Sequence, residues 1–306
     1  MFKYTLRRLL MLIPLLVVVS VLVFSTIYLM PGDPAEVIAG EGASQEDIAN
    51  VRQSLGLDRP LYEQYLSWMA RAVHGDFGTS IRTGRPVAQE IGFRFKNTLN
   101  LTVFSMLFAT IFGLITGIIS AVRRYSVYDN ISMVVALIGI SITPFYLGLM
   151  LMLFFSVRLG WLPLMGLDSW RAWILPAITL GARPLAMIAR MTRSSMLEIM
   201  GQDYILTARA QGLPEWVIIF KYALKNALNT VITVVGLQFG QQLGGAVITE
   251  TVFALPGIGR LAVESIKARD FPVVQAAILV VAAAFVLVNL VVDLLYAYVN
   301  PRIRYS

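Results

Sequence analysis

The sequence predicts an all-α polytopic membrane protein with six transmembrane helices, both termini cytoplasmic, and a small helical extracytoplasmic segment after the first helix. Three observations carry that prediction. Of 306 residues, 57% are hydrophobic and only 14% charged, too little charge to cover the surface of a soluble domain of this size. Six stretches reach the roughly 20 apolar residues that a helix needs to cross the hydrocarbon core. Lys and Arg are unevenly shared among the short loops between those stretches.

The first span, 9–30, follows Lys3, Arg7 and Arg8 and runs into Pro31-Gly-Asp-Pro34. A basic start and an apolar run resemble a signal peptide, but the run is about twice the usual length and lacks a small-x-small cleavage site behind it. It reads as an uncleaved span, so residues 1–30 form a cytoplasmic tail and first helix. Segment 31–97 mixes charge with Gly and Pro punctuation. In it Ser44 followed by Asp47 gives a helix-capping signal, and the segment reads as a small helical cap on the outer mouth. Spans at 98–122, 131–157, 172–189, 229–252 and 273–299 complete a five-helix core, 98–300, followed by a cytoplasmic tail at 301–306. No internal repeat is visible.

Orientation follows from the basic residues. Twelve of the 25 lie in the N-terminal tail, the loop after span two, the segment after span four and the C-terminal tail. The opposite face also holds 12, but seven of those lie in 31–97, and long loops translocate largely regardless of charge. Twelve against five in the short loops puts both termini in the cytoplasm.

The segment between spans four and five is the most informative. From Asp203 the chain reads as a helix with Gly212 as its natural stop, since glycine alone takes left-handed backbone angles without strain. Pro214 suits the first turn of a second helix, with Glu215 at its positive end. On the 3.6 period Leu213, Trp216, Phe220, Ala223, Leu224 and Ala227 share one face, and Glu215, Lys221 and Lys225 the other. Such a helix either packs on its own bundle or docks into a groove on a partner.

Span five carries Gly236, Gly240 and Gly244, a stripe that permits close approach of a neighbouring helix, in this chain or a sister subunit. On the opposite side lie Gln238, Gln241 and Gln242, which either line a translocation path or tie helices together. Glu250 and Asp293 each cost about 3 kcal/mol at the bilayer centre if charged and unpaired. With Asn289, one turn from Asp293, they read as a gate or as interhelix polar ties. Arg183, inside span four, either binds a substrate carboxylate in bidentate fashion or pairs with one of those acids. The loop 253–271, with Pro256, Gly257 and Gly259, reads as an outer gating or docking element or as a plain turn.

Ala208 to Gly212, then nine residues, then Tyr222 to Ala227 resemble the "EAA" loop of the permease subunits of binding-protein-dependent ABC importers. Thr207 stands where the generic loop has an acid, a variant typical of the peptide and nickel branch, and Gln211 replaces that branch's lysine. Pro31-Gly-Asp-Pro34, Leu55-Gly-Leu-Asp58, Gly75-Asp-Phe-Gly78, Gly84-Arg-Pro-Val87, Glu250-Thr-Val-Phe253, Pro256-Gly-Ile-Gly-Arg-Leu261 and the ending from Asn289 to Arg304 are similar to segments of dipeptide, oligopeptide and glutathione permeases. The resemblance covers essentially the whole chain, and length and Gly160-Trp-Leu-Pro163 make it most like the glutathione or dipeptide members.

The resemblance implies a bacterial inner-membrane protein forming half of a translocation path for short peptides. It implies a homologous sister permease, two ATPase subunits and an extracytoplasmic binding protein as partners, with ATP and Mg on the ATPases and no cofactor on this chain. Thr207, Ala208, Ala210, Gly212, Leu213, Glu215, Trp216 and Phe220 would form the ATPase-coupling surface of element 203–227.

The absences agree. There is no cysteine and one histidine, His74, so neither a thiolate site nor a histidine metal cluster can form. No phosphate-binding G-x-x-x-x-G-K-[ST] loop occurs, so any ATP dependence rests on a partner. Nothing suggests nucleic acid: the +7 charge is spread as a membrane protein spreads it. The rival class is an ATP-independent secondary transporter or channel, which would show inverted repeats and interrupted helices at matching places. An enzyme fares worse, having neither H-E-x-x-H nor a G-x-S-x-G turn.

Overall fold

The computed structural model describes residues 2–29, 33–40, 42–54, 56–166 and 169–299. Among them every regular element is helical, apart from one isolated bridge between Thr79 and Pro86. In chain order these are α1 (Phe2–Leu29), α2 (Pro34–Ala39), α3 (Gln45–Ser54), α4 (Leu61–Val73), α5 (Val87–Val122), α6 (Val127–Ser141) and α7 (Pro144–Leu151), which runs into a π-helical stretch at Met152–Arg158. A 3₁₀ turn at Trp170–Trp173 leads into α8 (Ile174–Met200). Then come α9 (Asp203–Ala210), α10 (Glu215–Val217), a second π-helical stretch at Ile218–Leu224, α11 (Lys225–Val252), α12 (Ile258–Lys267) and α13 (Phe271–Val299).

Five helical stretches are long and apolar enough to cross a membrane alone, and the bent pair α6–α7 supplies a sixth crossing. The expected third span is thus not one straight helix. Its halves meet at 109°, because Pro144 cannot accept the incoming helix and holds the residue before it extended. Ile142 and Thr143 accordingly have ψ of 131° and 140°. The second and fourth spans are longer than expected. Helix α5 starts at Val87, and α8 continues through Pro184 to Met200, so Arg190 and Arg193 belong to a helix and not to a loop.

The chain divides into two compact units. The smaller comprises Leu6–Thr98 and Pro256–Val286; among the described residues the larger takes 2–5, Leu99–Leu255 and 287–299. In the smaller unit the short helices start where local chemistry says they should. Asp33 accepts from the Ala35 N–H (2.9 Å) with Pro34 in the first turn. Ser44 and Asp47 close a reciprocal cap, Ser44 Oγ accepting from Asp47 N–H at 3.1 Å and Asp47 Oδ2 from Ser44 N–H at 3.2 Å. That bond and the Ser44 hydroxyl hold the Asp47 carboxyl below the ordinary aspartate range.

The expected outer loop at 253–271 contains the helix α12, whose Ile258, Gly259, Leu261 and Ser265 are buried. Ile258, Leu261, Val273 and Ala277 of α12 and α13 close with Val87 and Ile91 of α5 into one apolar cluster. Two residues of α5 fix the entry to α12: Asn97 Nδ2 donates to Pro256 O (3.0 Å) and Thr98 Oγ1 accepts from Ile258 N–H (2.9 Å). Asp270, buried before α13, accepts from the Ser80 hydroxyl and the N–H groups of Ile81 and Arg82. It thereby anchors the turn at 80–83.

In the larger unit α8 is the hub. Against α6 it makes a bidentate ion pair: Arg193 Nε and Nη2 donate to Asp129 Oδ1 and Oδ2 at 2.6 and 2.8 Å, and Asp129 is 1% exposed. The Ser120 hydroxyl and the Tyr125 N–H satisfy the same carboxylate. Against α5 the approach is set by Gly113 and Gly117: a Cβ at Gly117 would stand 2.6 Å from Thr192 Cβ and 2.7 Å from Ala189 O. Met106 and Ala109 of α5, Ile188 of α8 and Val231 of α11 close the apolar layer among the three helices.

Candidate functional site

The turn between α9 and α10 forms where glycine permits it. Gly212 has φ +76°, its N–H donates to Arg209 O at 2.9 Å, and Leu213 N–H reaches back to Ala208 O at 3.3 Å. Pro214 caps the next helix from outside, one residue earlier than expected, and Glu215 opens it. Arg209 Nε donates to Glu215 Oε1 at 2.9 Å across the turn; the pair is exposed and contributes at most about 1 kcal/mol. Thr207, exposed, turns its hydroxyl back to Asp203 O (3.0 Å), and Ala210 is exposed beside it.

The single apolar face expected for the second helix is split in two. Ile218, Ala223 and Ala227 are fully buried, whereas Trp216 is 67% and Phe220 56% exposed. The cause is the π-helical stretch, whose i→i+5 bonds shift the phase of every following residue relative to a 3.6 wheel. Inside, Ile218 packs with Ile205 and Ala208 of α9, flanked by Leu213 and Tyr222. Ala223 and Ala227 pack with Ala121 of α5 and Met196 of α8, and Leu224 lies against them. The small residues seat the element on its own bundle, and the two aromatic rings face outward.

The membrane polar residues separate similarly. Gln242 is buried, its amide donating to Leu180 O at 2.7 Å and Ser105 Oγ at 3.2 Å, so it ties α11 to α8 and α5. Of the two readings of the glutamines, path lining or a tie between helices, Gln242 makes the tie. Gln241 is exposed and Gln238 half-buried, joined by a 3.4 Å amide–amide bond. The expected glycine stripe also divides. Gly236 packs on the chain's own α13, where a Cβ would run into the Val292 side chain, whereas a Cβ at Gly244 would meet no other described side chain or element within 4 Å.

Arg183 is exposed at the middle of α8 and makes no ion pair or hydrogen bond with any described residue. Of its two readings, a substrate carboxylate or a partner in Glu250 or Asp293, no contact of the second kind is made among the described residues. Arg190 and Ser194 lie exposed on the same helix face at seven- and eleven-residue spacing. A polar stripe along a span cannot face hydrocarbon without large cost. Glu250 is buried in the last turn of α11, and Asn289 and Asp293 are half-buried one turn apart on α13.

A bundle of apolar spans joined by a helix–turn–helix element whose two aromatic side chains project outward defines a polytopic membrane protein. Comparison with known proteins places it. Residues 113–305 match the family of binding-protein-dependent transport system inner membrane components, and residues 1–111 match the N-terminal part of such components. The chain belongs to this family, the permease subunits of ABC importers, and is a multi-pass inner-membrane protein. It is 52% identical over all 306 residues, and over the full length of the relative, to the glutathione transport system permease protein GsiC of Escherichia coli (strain K12). The same identity and coverage hold for the GsiC protein of Shigella flexneri serotype 5b. Among solved structures, the chain is similar to one from inward-facing conformations of the MetNI methionine ABC transporter. That match has a TM-score of 0.56 and 21% identity, and covers 69% of this chain and 96% of the other.

Proposed function

We propose that this permease forms half of the path by which an ABC importer brings a short, anionic peptide such as glutathione into a bacterial cell. A homologous sister permease supplies the other half, and an extracytoplasmic binding protein delivers the substrate. Two ATPase subunits, carrying ATP and Mg, grip the element 203–227 from the cytoplasm, where both termini also lie. The observation that carries this reading is the outward exposure of Trp216 and Phe220 on an element whose small residues are buried. Thr207, Ala210, Gly212 and Glu215 are exposed on the same element, with Ala208 and Leu213 packed against Ile218 beneath it.

The substrate class rests on the full-length similarity to the glutathione permeases and on Arg183. An exposed guanidinium midway along a span, unpaired among the described residues, suits a carboxylate passing through a wet path, and the Gln238–Gln241 pair offers amides on α11. Gln242 acts as a structural tie. Glu250, Asn289 and Asp293 serve as polar contacts that change partners when the bundle opens.

The test is uptake into proteoliposomes holding the assembled complex, with binding protein outside and ATP inside. Glutathione should enter only with ATP, and Arg183→Gln should slow it at least tenfold while sparing stimulated ATP hydrolysis. Uptake that proceeds without ATP would make this a secondary transporter, and equal uptake by the variant would remove Arg183 from the path.

A further inference from the structure

The smaller unit holds a cavity of about 540 Å³. Its floor is aromatic: Phe24, Trp68 and Phe271 line it, with Phe24 and Trp68 rings 5.9 Å apart. Its rim carries two arginines, Arg59 and Arg71, and two acids, Glu63 and Asp76. Neither arginine makes an ion pair with any described residue.

The walls are tied together. Ser20 Oγ and Tyr65 Oη lie 2.8 Å apart, linking α1 to α4, and the Tyr28 hydroxyl donates to Gln64 Oε1. Gln64 Nε2 in turn donates to Arg59 O at 2.8 Å and Leu57 O at 3.2 Å, which fixes the turn bearing Arg59. Asp76 is held by the Gly78 N–H at 3.0 Å, and Gln275 Nε2 donates to Phe24 O at 3.3 Å, linking α13 to α1.

The cavity lies where two spans end. Phe24 and Tyr28 occupy the last turns of the Arg8–Tyr28 crossing, and Phe271 and Gln275 the first turn of the last one. That is the level at which hydrocarbon gives way to headgroups, where aromatic rings concentrate. A ligand there needs an apolar part for the floor, an anion for two guanidiniums and a cation for two carboxylates. Guanidinium matches phosphate oxygens in bidentate fashion, and a primary ammonium has three donors for carboxylates. An anionic headgroup would leave both acids opposed by like charge.

We propose that this cavity binds the headgroup of an amino-phospholipid, phosphatidylethanolamine, with Arg59 and Arg71 on its phosphate and Glu63 and Asp76 on its ammonium. The permease would then carry one selected lipid at the foot of the segment between α1 and α5.

The assembled importer, reconstituted in nanodiscs of equal phosphatidylethanolamine, phosphatidylglycerol and phosphatidylcholine, is released and weighed by native mass spectrometry. Phosphatidylethanolamine should be retained over the other two. The Arg59→Gln/Arg71→Gln variant should retain about tenfold less of it, the loss expected for charge-assisted bonds. Glu63→Gln, an exposed and conservative change, should narrow the preference over phosphatidylcholine, whose methylated nitrogen cannot donate. Both variants are checked for retention of the ATPase subunits. Selection of phosphatidylglycerol, or equal retention by the arginine variant, overturns the proposal. So does a variant that keeps its lipid but loses stimulation by the binding protein, which would make the cavity a protein-docking surface.

Discussion

Truncating the two outward rings of the coupling element tests the central assignment with a magnitude set by exposure. Trp216 and Phe220 are 67% and 56% exposed. With about 200–250 Å² per aromatic side chain, they offer a partner roughly 280 Å², or at most about 7 kcal/mol at 25 cal/mol per Å². Partial coverage and ordering at the interface reduce that to about 3 kcal/mol, near a hundredfold in affinity. The chain's own fold should lose only about 1 kcal/mol, because the buried contacts of this element are made by Ile218, Ala223 and Ala227. In detergent or nanodiscs, Trp216→Ala/Phe220→Ala should therefore weaken ATPase association about a hundredfold and abolish stimulated hydrolysis, with a nearly unchanged unfolding temperature. An association constant within about twofold of the parent, accompanied by a large drop in stability, would show that the rings pack on their own bundle.

Four further outcomes follow from the same geometry. Gly212→Ala should cost about 1 kcal/mol, because its φ is +76° with open space around a Cβ; Gly212→Pro also removes the N–H bonded to Arg209 O and should abolish coupling, read as stimulated hydrolysis. Arg193→Met leaves the buried Asp129 charge unpaired and should destabilise by about 3–5 kcal/mol, while adding Asp129→Leu should recover much of the loss in thermal unfolding. Gly117→Ala drives a methyl into Thr192 and Ala189 O and should cost about 1–3 kcal/mol, measured as a lower unfolding temperature. Gln242→Leu breaks the bonds to Leu180 and Ser105 and should cost about 1 kcal/mol of stability; Gln241→Leu should leave stability alone and alter uptake.

What could be read in the sequence was what local chemistry decides. The helix stop at Gly212, the restart beside Pro214 and the cap at Ser44 each depend on a residue and its neighbours within four positions. The break at Pro144 and the close-approach pair Gly113-x-x-x-Gly117 carry equally local signals, which the reading of 131–157 and 98–122 as plain spans passed over. The division of Trp216 and Phe220 from Ala223 and Ala227 was not, because a wheel assumes one period and the π-helical stretch is imposed by tertiary packing. Nor could a pattern separate Gln241 from Gln242. Adjacent residues point about 100° apart, and only the positions of Leu180 and Ser105 decide which amide finds a partner inside the chain.

The absence of any loop between the coupling element and α11 has a mechanical meaning. From Glu215 to Val252 the backbone is helical without interruption for 38 residues, a rod of about 55 Å. A protein that grips Trp216 therefore holds the short arm of a lever whose far arm carries Gln238 and Gln241. Over the ~37 Å from Trp216 to Gln241, a tilt of about 5° displaces the far end by roughly 3 Å, the diameter of a water molecule. Motion at one end passes along the helix to the other through the wider turns at Ile218–Leu224, which set how much of it arrives.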